Sequence, residues 1–554
     1  MSPTLAGPPR ASSLAHDRKV RRQHGIYYSP RDVATQLVKW AVRSPHDTIF
    51  DPSFGGCVFL QEGVERLQEL GALDALQRIG GTDRDSHAWL DASELIARGG
   101  HPLRFRQDDF LAVTPEDIGG PFTAVVGNPP YVRSRMIAQE ARQTAVQSVP
   151  KSIRLSRSAS YWAYFVLHAL RFVGPSGRLA LILPGAFLRA DYARAIRAEI
   201  RRAFASITVL VLDEHLFRDA EEESVLLLAD HHGHGPGTVH VARAARNSLF
   251  EGALSTPEAD ASRTLSDWNW AVGLLSAEAL ALYEKLVPRC SRLEQLATVH
   301  IGVVTGANDF FLVDGARQMN WSIEDETLRP IVSRTAELTG LRLDQKDADA
   351  LTSRLFSPPE TGIPPGAATY VAYGEETGIH VRAKCARRKP WFLPHDRVAP
   401  DAFLSCMSWI GPRLVLNQAQ TVCTNTLLAV TFRTEVSTTR RMAVAAGVLS
   451  TVAQLSAEIV GRASGGGLLK LEPSDARRLL VPEATLTEPE LEWVDLLCRQ
   501  GKWDEARAVV DHCLVRDGLL SGAELSVLSA ELKSSRTRRW TVRKARKAES
   551  SRVR

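Results

Sequence analysis

A four-residue segment, Asn128-Pro129-Pro130-Tyr131, carries the most specific chemistry in this sequence. The two prolines fix φ and lack an N–H group, so the segment is predicted to be a stiff loop. Such a loop presents an asparagine side chain and a proline carbonyl as two acceptors, which suit a planar amino group with two N–H bonds. The tyrosine adds a flat face for stacking. A turn without a chemical role is the alternative for this segment taken alone.

An acidic, glycine-containing turn lies upstream, in the segment that runs from Phe50 to Leu60. The segment is predicted to form a strand, which is followed by the acid Asp51, a turn that contains Gly55, and then a helix. Such a turn lets backbone N–H groups approach a ligand at a helix N-terminus, and the acid suits an ammonium group. The turn has neither the Gly-x-Gly-x-x-Gly pattern of nicotinamide enzymes nor the Gly-Lys-Ser/Thr of a phosphate-binding loop.

Three weaker signals stand in order before the Asn-Pro-Pro-Tyr segment. Asp83 ends a second predicted strand, where an acid can accept two ribose hydroxyls. Asp109 is followed by Phe110, a pair that can accept from an adenine amine and pack on its ring. Ser29 and Pro30 are predicted as the N-cap and first residue of a helix whose free N–H groups could hold a carboxylate, with a simple helix start as the alternative. Each signal is common in turns, so their order is what makes them informative.

Strands and helices alternate from residue 21 to about 235, which predicts an α/β fold with a mostly parallel sheet and helices on both faces. Ligand sites in open α/β sheets lie at the carboxyl ends of the strands, where these residues are expected. The predicted strands are 48–50, 79–82, 123–127, 178–183, 207–212 and 224–229, and the predicted helices include 31–43, 59–70, 161–173 and 192–204.

The remaining segments complete a predicted four-part organisation. Residues 1–20 are expected to form a flexible basic arm, 21–240 the catalytic domain, 241–482 a domain of mixed content and 483–554 a helical region with a basic tail. Solvation and phosphate contact are equal alternatives for the basic termini. The histidine-rich segment 231–237 is interpreted as a surface turn because glycine and proline dominate it, and a metal site there is the weaker alternative.

Composition narrows the class of protein. The hydrophobic fraction of 44% and the charged fraction of 24% are ordinary for globular proteins. The apolar runs are too short to span a bilayer, so no membrane association is expected. Seven cysteines are scattered without a Cys-x-x-Cys pair, which favours reduced thiols in the cytoplasm and argues against a zinc site. No metal is therefore expected.

In combination, these motifs resemble the gamma class of DNA adenine-N6 methyltransferases, the Taq-type enzymes of restriction–modification systems. The family order runs from a Thr/Ser-Pro element through the cofactor turn and two acidic strand ends to Asn-Pro-Pro-Tyr, with a target-recognition domain last. The resemblance covers 21–235 well and 290–482 more loosely, where 299–309 and 466–475 resemble recognition-domain segments. It implies a Rossmann-like class I methyltransferase domain and a C-terminal mixed α+β target-recognition domain.

The resemblance also implies a cofactor, S-adenosylmethionine, and the residues that hold it. Cofactor contacts are expected at Ser29, Pro30, Asp51, Pro52, Gly55, Asp83, Asp109 and Phe110. Contacts with the target base are expected at Asn128, Pro129, Pro130, Tyr131 and Phe217, the last on the opposite face of the base from the tyrosine. One position departs from the family: Cys57 stands where glycine is frequent, so a positive φ there would strain the turn.

The expected partner is duplex DNA, whose target adenine must flip out of the helix to reach the pocket. Phosphate contacts are expected in a basic segment with an aromatic residue, Trp391, against the alternative of a solvated loop. The basic residues are Arg382, Lys384, Arg387, Arg388 and Lys389. The chain is expected to be a monomer, with a cognate restriction endonuclease encoded separately, since it shows no persuasive nuclease motif.

Three other functions stay open at this point. A protein-glutamine methyltransferase shares Asn-Pro-Pro-Tyr but is generally smaller and lacks a long C-terminal domain. An RNA methyltransferase usually carries a compact RNA-binding module, which the sequence does not resemble. A catalytically silent DNA-binding subunit, whose Cys57 turn no longer holds the cofactor, would be distinguished by a cofactor-binding assay.

Overall fold

The structure, a computed structural model, describes residues 29–132, 134–212, 216, 223–244, 269–394, 398–464 and 467–552. The chain divides into two compact units, Met1–Leu274 and Leu275–Arg554. The four-part division stays a prediction.

An eight-stranded sheet forms the centre of the first unit. Its strands are β1 (Ile49–Asp51), β2 (Ile79–Thr82), β3 (Phe105–Arg106), β4 (Phe122–Gly127), β5 (Val173–Pro184), β6 (Phe204–Leu212), β7 (Ser224–His232) and β8 (Thr238–Ala244). They lie in the order β3-β2-β1-β4-β5-β7-β6-β8, and β7 alone runs antiparallel to its neighbours. The predicted mostly parallel sheet is confirmed.

Seven helices accompany this sheet in the described residues. They are α1 (Arg31–Ala41), α2 (Val58–Glu69), α3 (Ser86–Ala97), α4 (Gln139–Ser148), α5 (Tyr161–Ala169), α6 (Ala186–Arg189) and α7 (Arg194–Ala203). Alternate residues of a strand face opposite sides. Ile49 packs in one core cluster with residues of α1, α2 and α3, whereas Phe50 stacks on Phe122 and Phe172 at 4.9 Å between ring centroids. On the side of Phe50, the ring of Phe110 lies 5.9 Å from that of Phe50 and 5.2 Å from that of Phe165 in α5. Helices therefore lie on both faces.

The start of α1 differs from its prediction. Pro30, not Ser29, occupies the N-cap position, because its ψ of 136° is extended and the helix begins at Arg31. The carbonyl of Pro30 accepts the first helical hydrogen bond, from Ala34 N at 3.1 Å, and no side chain caps the helix. Ser29 therefore lies one residue outside the helix, which corrects its assignment as the N-cap.

The second unit is a mixed α+β structure, as predicted. Its strands are β9 (Ser291–Arg292), β10 (Ala297–Ile301), β11 (Leu312–Val313), β12 (Leu328–Val332), β13 (Arg342–Leu343), β14 (Arg354–Phe356), β15 (Ala402–Ser405), β16 (Met407–Ser408), β17 (Leu414–Asn417), β18 (Val422–Cys423), β19 (Leu427–Phe432), β20 (Arg462–Ser464), β21 (Leu468–Lys470) and β22 (Leu480–Val481). The largest sheet has the order β10-β19-β15-β17-β13, and a second has the order β11-β14-β12-β18.

The second unit also contains helices. The first of them precedes the strands, and the others lie between or after them: α8 (Ala277–Leu286), α9 (Leu293–Leu296), α10 (Asn308–Phe311), α11 (Gly315–Trp321), α12 (Gln345–Asp349), α13 (Pro365–Glu376), α14 (Thr438–Gly447), α15 (Thr451–Val460), α16 (Pro473–Ala476), α17 (Glu488–Arg499), α18 (Trp503–Arg516) and α19 (Gly522–Arg552). Within the described ranges, no single helix is long and apolar enough to cross a membrane; α14 and α15 pass that test only as a pair bent by 69°.

The first arginines of the basic tail belong to the fold of this unit. Arg536 donates to Gln454 Oε1 at 2.8 Å, and Arg539 donates to Glu458 Oε1 at 2.8 Å. Both guanidinium-bearing side chains are less than 9% exposed. These two residues are therefore neither solvated nor available to phosphate, in contrast to the two alternatives considered for the tail.

Candidate active site

The carboxyl ends of three adjacent strands carry the predicted polar residues. Strand β1 pairs in parallel with both β2 and β4, so its terminal residue, Asp51, lies between their ends. Asp83 follows β2 directly, and Asn128 follows β4. The fold therefore brings these three residues, predicted from separate motifs, to one edge of the sheet.

Asp51 is fully buried at this edge. Its Oδ1 accepts a hydrogen bond from Ser53 N at 3.0 Å, whereas its Oδ2 accepts none from the described residues. Burial raises the pKa of Asp51 to about 8. A buried acceptor without a donor is costly, so a ligand that brings a cationic donor to Oδ2 would stabilise this carboxylate.

The turn after Asp51 is tied to the neighbouring strand. Gly55 has a φ of +48°, and its N–H donates to Asp83 Oδ2 at 2.8 Å. The other oxygen of Asp83 accepts from Asp85 N at 2.9 Å. Burial raises the pKa of Asp83. The carboxylate thus shapes the turn, and each oxygen keeps a second lone pair for a ligand hydroxyl. Pro52 also joins β2, because its carbonyl accepts from Thr82 Oγ1 at 2.9 Å.

Cys57 adopts the left-handed conformation, with φ 57° and ψ 16°, immediately before α2. This finding confirms the hypothesis that the position needs a positive φ, which glycine adopts without strain. The side chain is fully buried in the core cluster beside α2. The strained backbone of Cys57 therefore lowers the stability of the fold, whereas the packing of its buried side chain raises it.

Asp109 caps a short turn and meets a residue that the sequence motifs do not single out. Its Oδ1 accepts from Leu111 N at 3.1 Å, and its Oδ2 accepts from the hydroxyl of Tyr161 at 2.8 Å. The two residues lie 52 positions apart, so no local motif signals the contact. Tyr161 is therefore a functional candidate that only the tertiary structure identifies.

The side chain of Phe110 is buried among other aromatic rings. Its ring is 2% exposed and lies 5.2 Å from the ring of Phe165 and 5.0 Å from that of Phe172, between centroids. Phe110 thus forms an aromatic cluster with Phe165 and Phe172. Its contact with a cofactor ring stays a prediction.

The Asn-Pro-Pro-Tyr loop is held at both ends. Ser53 Oγ donates to the carbonyl of Asn128 at 3.2 Å, and Tyr161 N donates to the carbonyl of Val132 at 2.9 Å. Pro129 is buried, Asn128 and Pro130 are half-buried, and the half-buried Tyr131 packs against the core cluster. The first hydrogen bond links this loop to the turn of Asp51, and the second links it to α5. Phe217 lies outside the described residues.

The basic segment of the second unit divides into exposed and structural residues. Lys384, Arg387 and Lys389 are exposed, and Arg382 forms two hydrogen bonds with Asp309 at 2.7 and 2.9 Å. Arg388 is 5% exposed, donates to the carbonyl of Thr305 and lies over the ring of Phe311 at 5.2 Å. This burial corrects the assignment of Arg388 as a phosphate contact, because its guanidinium is used inside the fold.

The described part of the chain contains no group of three or more histidine, cysteine or acidic side chains that could hold a metal ion. The candidate site consists instead of carboxylates, an amide, backbone groups and aromatic rings.

Two family models match successive parts of the chain. The model described as N-6 DNA Methylase matches residues 14–248, and the model described as Type II methyltransferase M.Eco57I, C-terminal domain, matches residues 267–515. The first match contains the complete candidate site. The second begins near the start of the second unit and ends within its C-terminal helices.

Relatives that match over most of their length support these matches. The Type II methyltransferase M.AccI of Acinetobacter calcoaceticus is 20% identical over 500 residues, which cover 87% of this chain and 88% of that protein. The Type II methyltransferase M.XamI of Xanthomonas campestris pv. amaranthicola is 21% identical over 478 residues, covering 83% and 85%. The type IIL restriction-modification enzyme MmeI, solved in complex with DNA, has a similar fold, with a TM-score of 0.59, 10% identity and coverage of 92% of this chain and 75% of that chain. The chain belongs to the gamma-class adenine-N6 DNA methyltransferases of restriction–modification systems.

Proposed function

We propose that the first unit transfers a methyl group to the N6 amine of an adenine flipped out of duplex DNA. The observation that carries this proposal is the hydrogen bond from Ser53 to the Asn128 carbonyl, which links the Asn-Pro-Pro-Tyr loop to the turn of the buried Asp51. A binding site for a methyl donor and a binding site for an amine are both needed for the reaction. The two are adjacent in this arrangement.

The residues at the sheet edge fit S-adenosylmethionine. When bound, this cofactor supplies a methyl group that its sulfonium already activates. Asp51 Oδ2, a buried oxygen without a donor among the described residues, suits the ammonium group of the methionine part. Asp83 suits the ribose hydroxyls, and Asp109 suits the adenine amine. The N–H groups at the start of α1, beside Ser29 and Pro30, suit the carboxylate.

The Asn-Pro-Pro-Tyr loop suits the target adenine. The Asn128 side chain and the Pro129 carbonyl accept the two N–H bonds of the amine, so that the nitrogen lone pair is less delocalised into the ring. Tyr131 stacks on the base and replaces part of the stacking that flipping removes, with Phe217 proposed for the opposite face. Positioning and electrostatics are what these residues contribute to the rate.

The second unit is proposed to recognise DNA. The exposed Lys384, Arg387 and Lys389 provide positive charge, and phosphate contacts of this kind dominate affinity for duplexes. Arg382 is also proposed to contact phosphate, from a position set by its ion pair with Asp309. We further propose that the protein acts as a monomer in the cytoplasm and that a cognate restriction endonuclease is a separate chain. The seven cysteines are free thiols, which is in keeping with a reducing compartment.

The substitution Asn128→Ala tests the proposal. We expect it to abolish incorporation of labelled methyl groups into duplex DNA while cofactor affinity changes less than about threefold, because the side chain is assigned to the target amine alone. Asn425→Ala, at an exposed turn residue of the second unit, is the matched control and should retain activity. Near-normal turnover in the Asn128 variant would contradict the assignment of the amine site.

A further inference from the structure

Tyr161 makes two hydrogen bonds that lead to opposite sides of the candidate site. Its hydroxyl donates to Asp109 Oδ2 at 2.8 Å, and its backbone N–H donates to the Val132 carbonyl at 2.9 Å. Asp109 is assigned to the cofactor, whereas Val132 directly follows the loop assigned to the target base. One residue thus joins the two binding regions through its side chain and its main chain.

The position of Tyr161 in its helix explains why both groups are available. It is the first residue of α5, after Ser160 at the N-cap. A backbone N–H in the first turn has no acceptor within its own helix, so the Tyr161 N–H is free to bind the Val132 carbonyl. The hydroxyl is the donor of this hydrogen bond, and the carboxylate oxygen accepts it. Burial and the neighbouring Asp109 raise the pKa of Tyr161, which keeps the phenol protonated.

The helix that carries Tyr161 is held in place by packing on all sides. All nine residues of α5 are buried, and the ring of Tyr161 lies 5.3 Å from that of Phe165 between centroids. A displacement of about 1 Å between reacting groups can reduce a rate by about a hundredfold. A fixed connection between the two binding regions therefore matters for transfer, beyond its effect on binding.

We propose that Tyr161 is a positioning residue that sets the spacing between the cofactor-binding carboxylate Asp109 and the Asn-Pro-Pro-Tyr loop. This inference rests on the proposed function, because the two regions acquire their roles only there. Tyr161 acts through Asp109 on one side and through the backbone of Val132 on the other.

The substitution Tyr161→Phe tests the side-chain connection, since it removes the hydroxyl and keeps the ring and the N–H. We expect the Kd for S-adenosylmethionine, measured by calorimetry, to rise about tenfold, because Asp109 Oδ2 loses the donor that fixes its orientation. At saturating cofactor, we also expect the single-turnover rate of methyl transfer to fall at least threefold. Tyr164→Phe is the matched control: it lies on the same buried helix, and its hydroxyl makes no hydrogen bond within the described residues. Equal values for the two variants would overturn the proposal.

A double-mutant cycle with Asp109→Ala separates positioning from a general structural role. In the wild-type background, Tyr161→Phe should lower the urea midpoint of the ligand-free protein and raise the cofactor Kd. In the Asp109→Ala background, the same substitution should leave both quantities unchanged within measurement error. Equal effects in both backgrounds would show that Tyr161 acts independently of Asp109 and would overturn the inference. Failure of the wild-type protein to bind S-adenosylmethionine would instead refute the proposed function, whereas the ligand-free cycle would still report the connection.

Discussion

The carboxylate of Asp51 lies directly against the backbone of Gly127, the last residue of β4. A Cβ atom on Gly127 would come 2.7 Å from Asp51 Oδ1 and 3.4 Å from its Cγ, and the first distance is shorter than real Cβ contacts. Gly127 also directly precedes Asn128. The absence of a side chain at this one residue therefore allows the cofactor-binding acid and the amine-binding loop to lie side by side.

Replacement of Gly127 by alanine should weaken both functions of this edge. The added methyl group must displace the Asp51 carboxylate or the end of β4, an overpacking that costs about 1–3 kcal/mol of stability. We expect the cofactor Kd to rise at least tenfold and methyl transfer to fall further. Gly522→Ala is the control, since a Cβ there meets nothing within 4 Å. Binding and turnover equal to those of the control would disprove the close approach.

The titration of Asp51 should make stability depend on pH. Burial raises its folded pKa from 3.8 to about 8, so the folded state binds the proton more tightly than the unfolded state. The free energy of unfolding should therefore fall as pH rises from about 4 to about 8, by up to about 1.4 kcal/mol per pH unit. Urea unfolding of the wild type and of Asp51→Asn checks this difference. Parallel stability curves for the two proteins would show that Asp51 does not titrate in this range.

The substitution Cys57→Gly should be tolerated. It relieves a left-handed conformation worth about 1–2 kcal/mol in strain, but it removes a buried side chain that packs in the core. We expect the free energy of unfolding to change by less than about 1 kcal/mol and cofactor affinity to be equal or tighter. Cys57→Ala separates the two effects, since it removes the sulfur and keeps the strain, and it should be the less stable variant. A large loss of affinity in the glycine variant would reveal a role for the thiol.

The two classes of basic residue in the second unit should behave differently. Combined alanine substitution of Lys384, Arg387 and Lys389 should weaken DNA binding and reduce the slope of log K against log salt by about 0.9 for each phosphate that the variant no longer neutralises. Stability should change little, because all three are exposed. Arg388→Ala should instead destabilise the unit by about 2 kcal/mol, since it breaks a buried hydrogen bond to Thr305. Unchanged DNA affinity in the triple variant, measured by filter binding, would locate the DNA-binding surface elsewhere.

The strand ends of the first unit could be predicted from the sequence because their signals are local. A buried strand, an acid and a turn recur in adjacent residues, and the parallel pairing of β1 with β2 and β4 then brings Asp51, Asp83 and Asn128 to one edge. The positive φ of Cys57 was also predictable, because the family often has glycine at this position of the turn.

Contacts between distant segments were decided by the tertiary structure alone. The hydroxyl of Tyr161 reaches Asp109 across 52 positions only because α5 packs against the short turn that Asp109 caps. Arg388 looks like its neighbours in the basic segment, yet packing against Phe311 and Thr305 buries it. A side chain's type and spacing determine which chemistry it can perform, whereas its exposure and partners depend on which other segments fold against it.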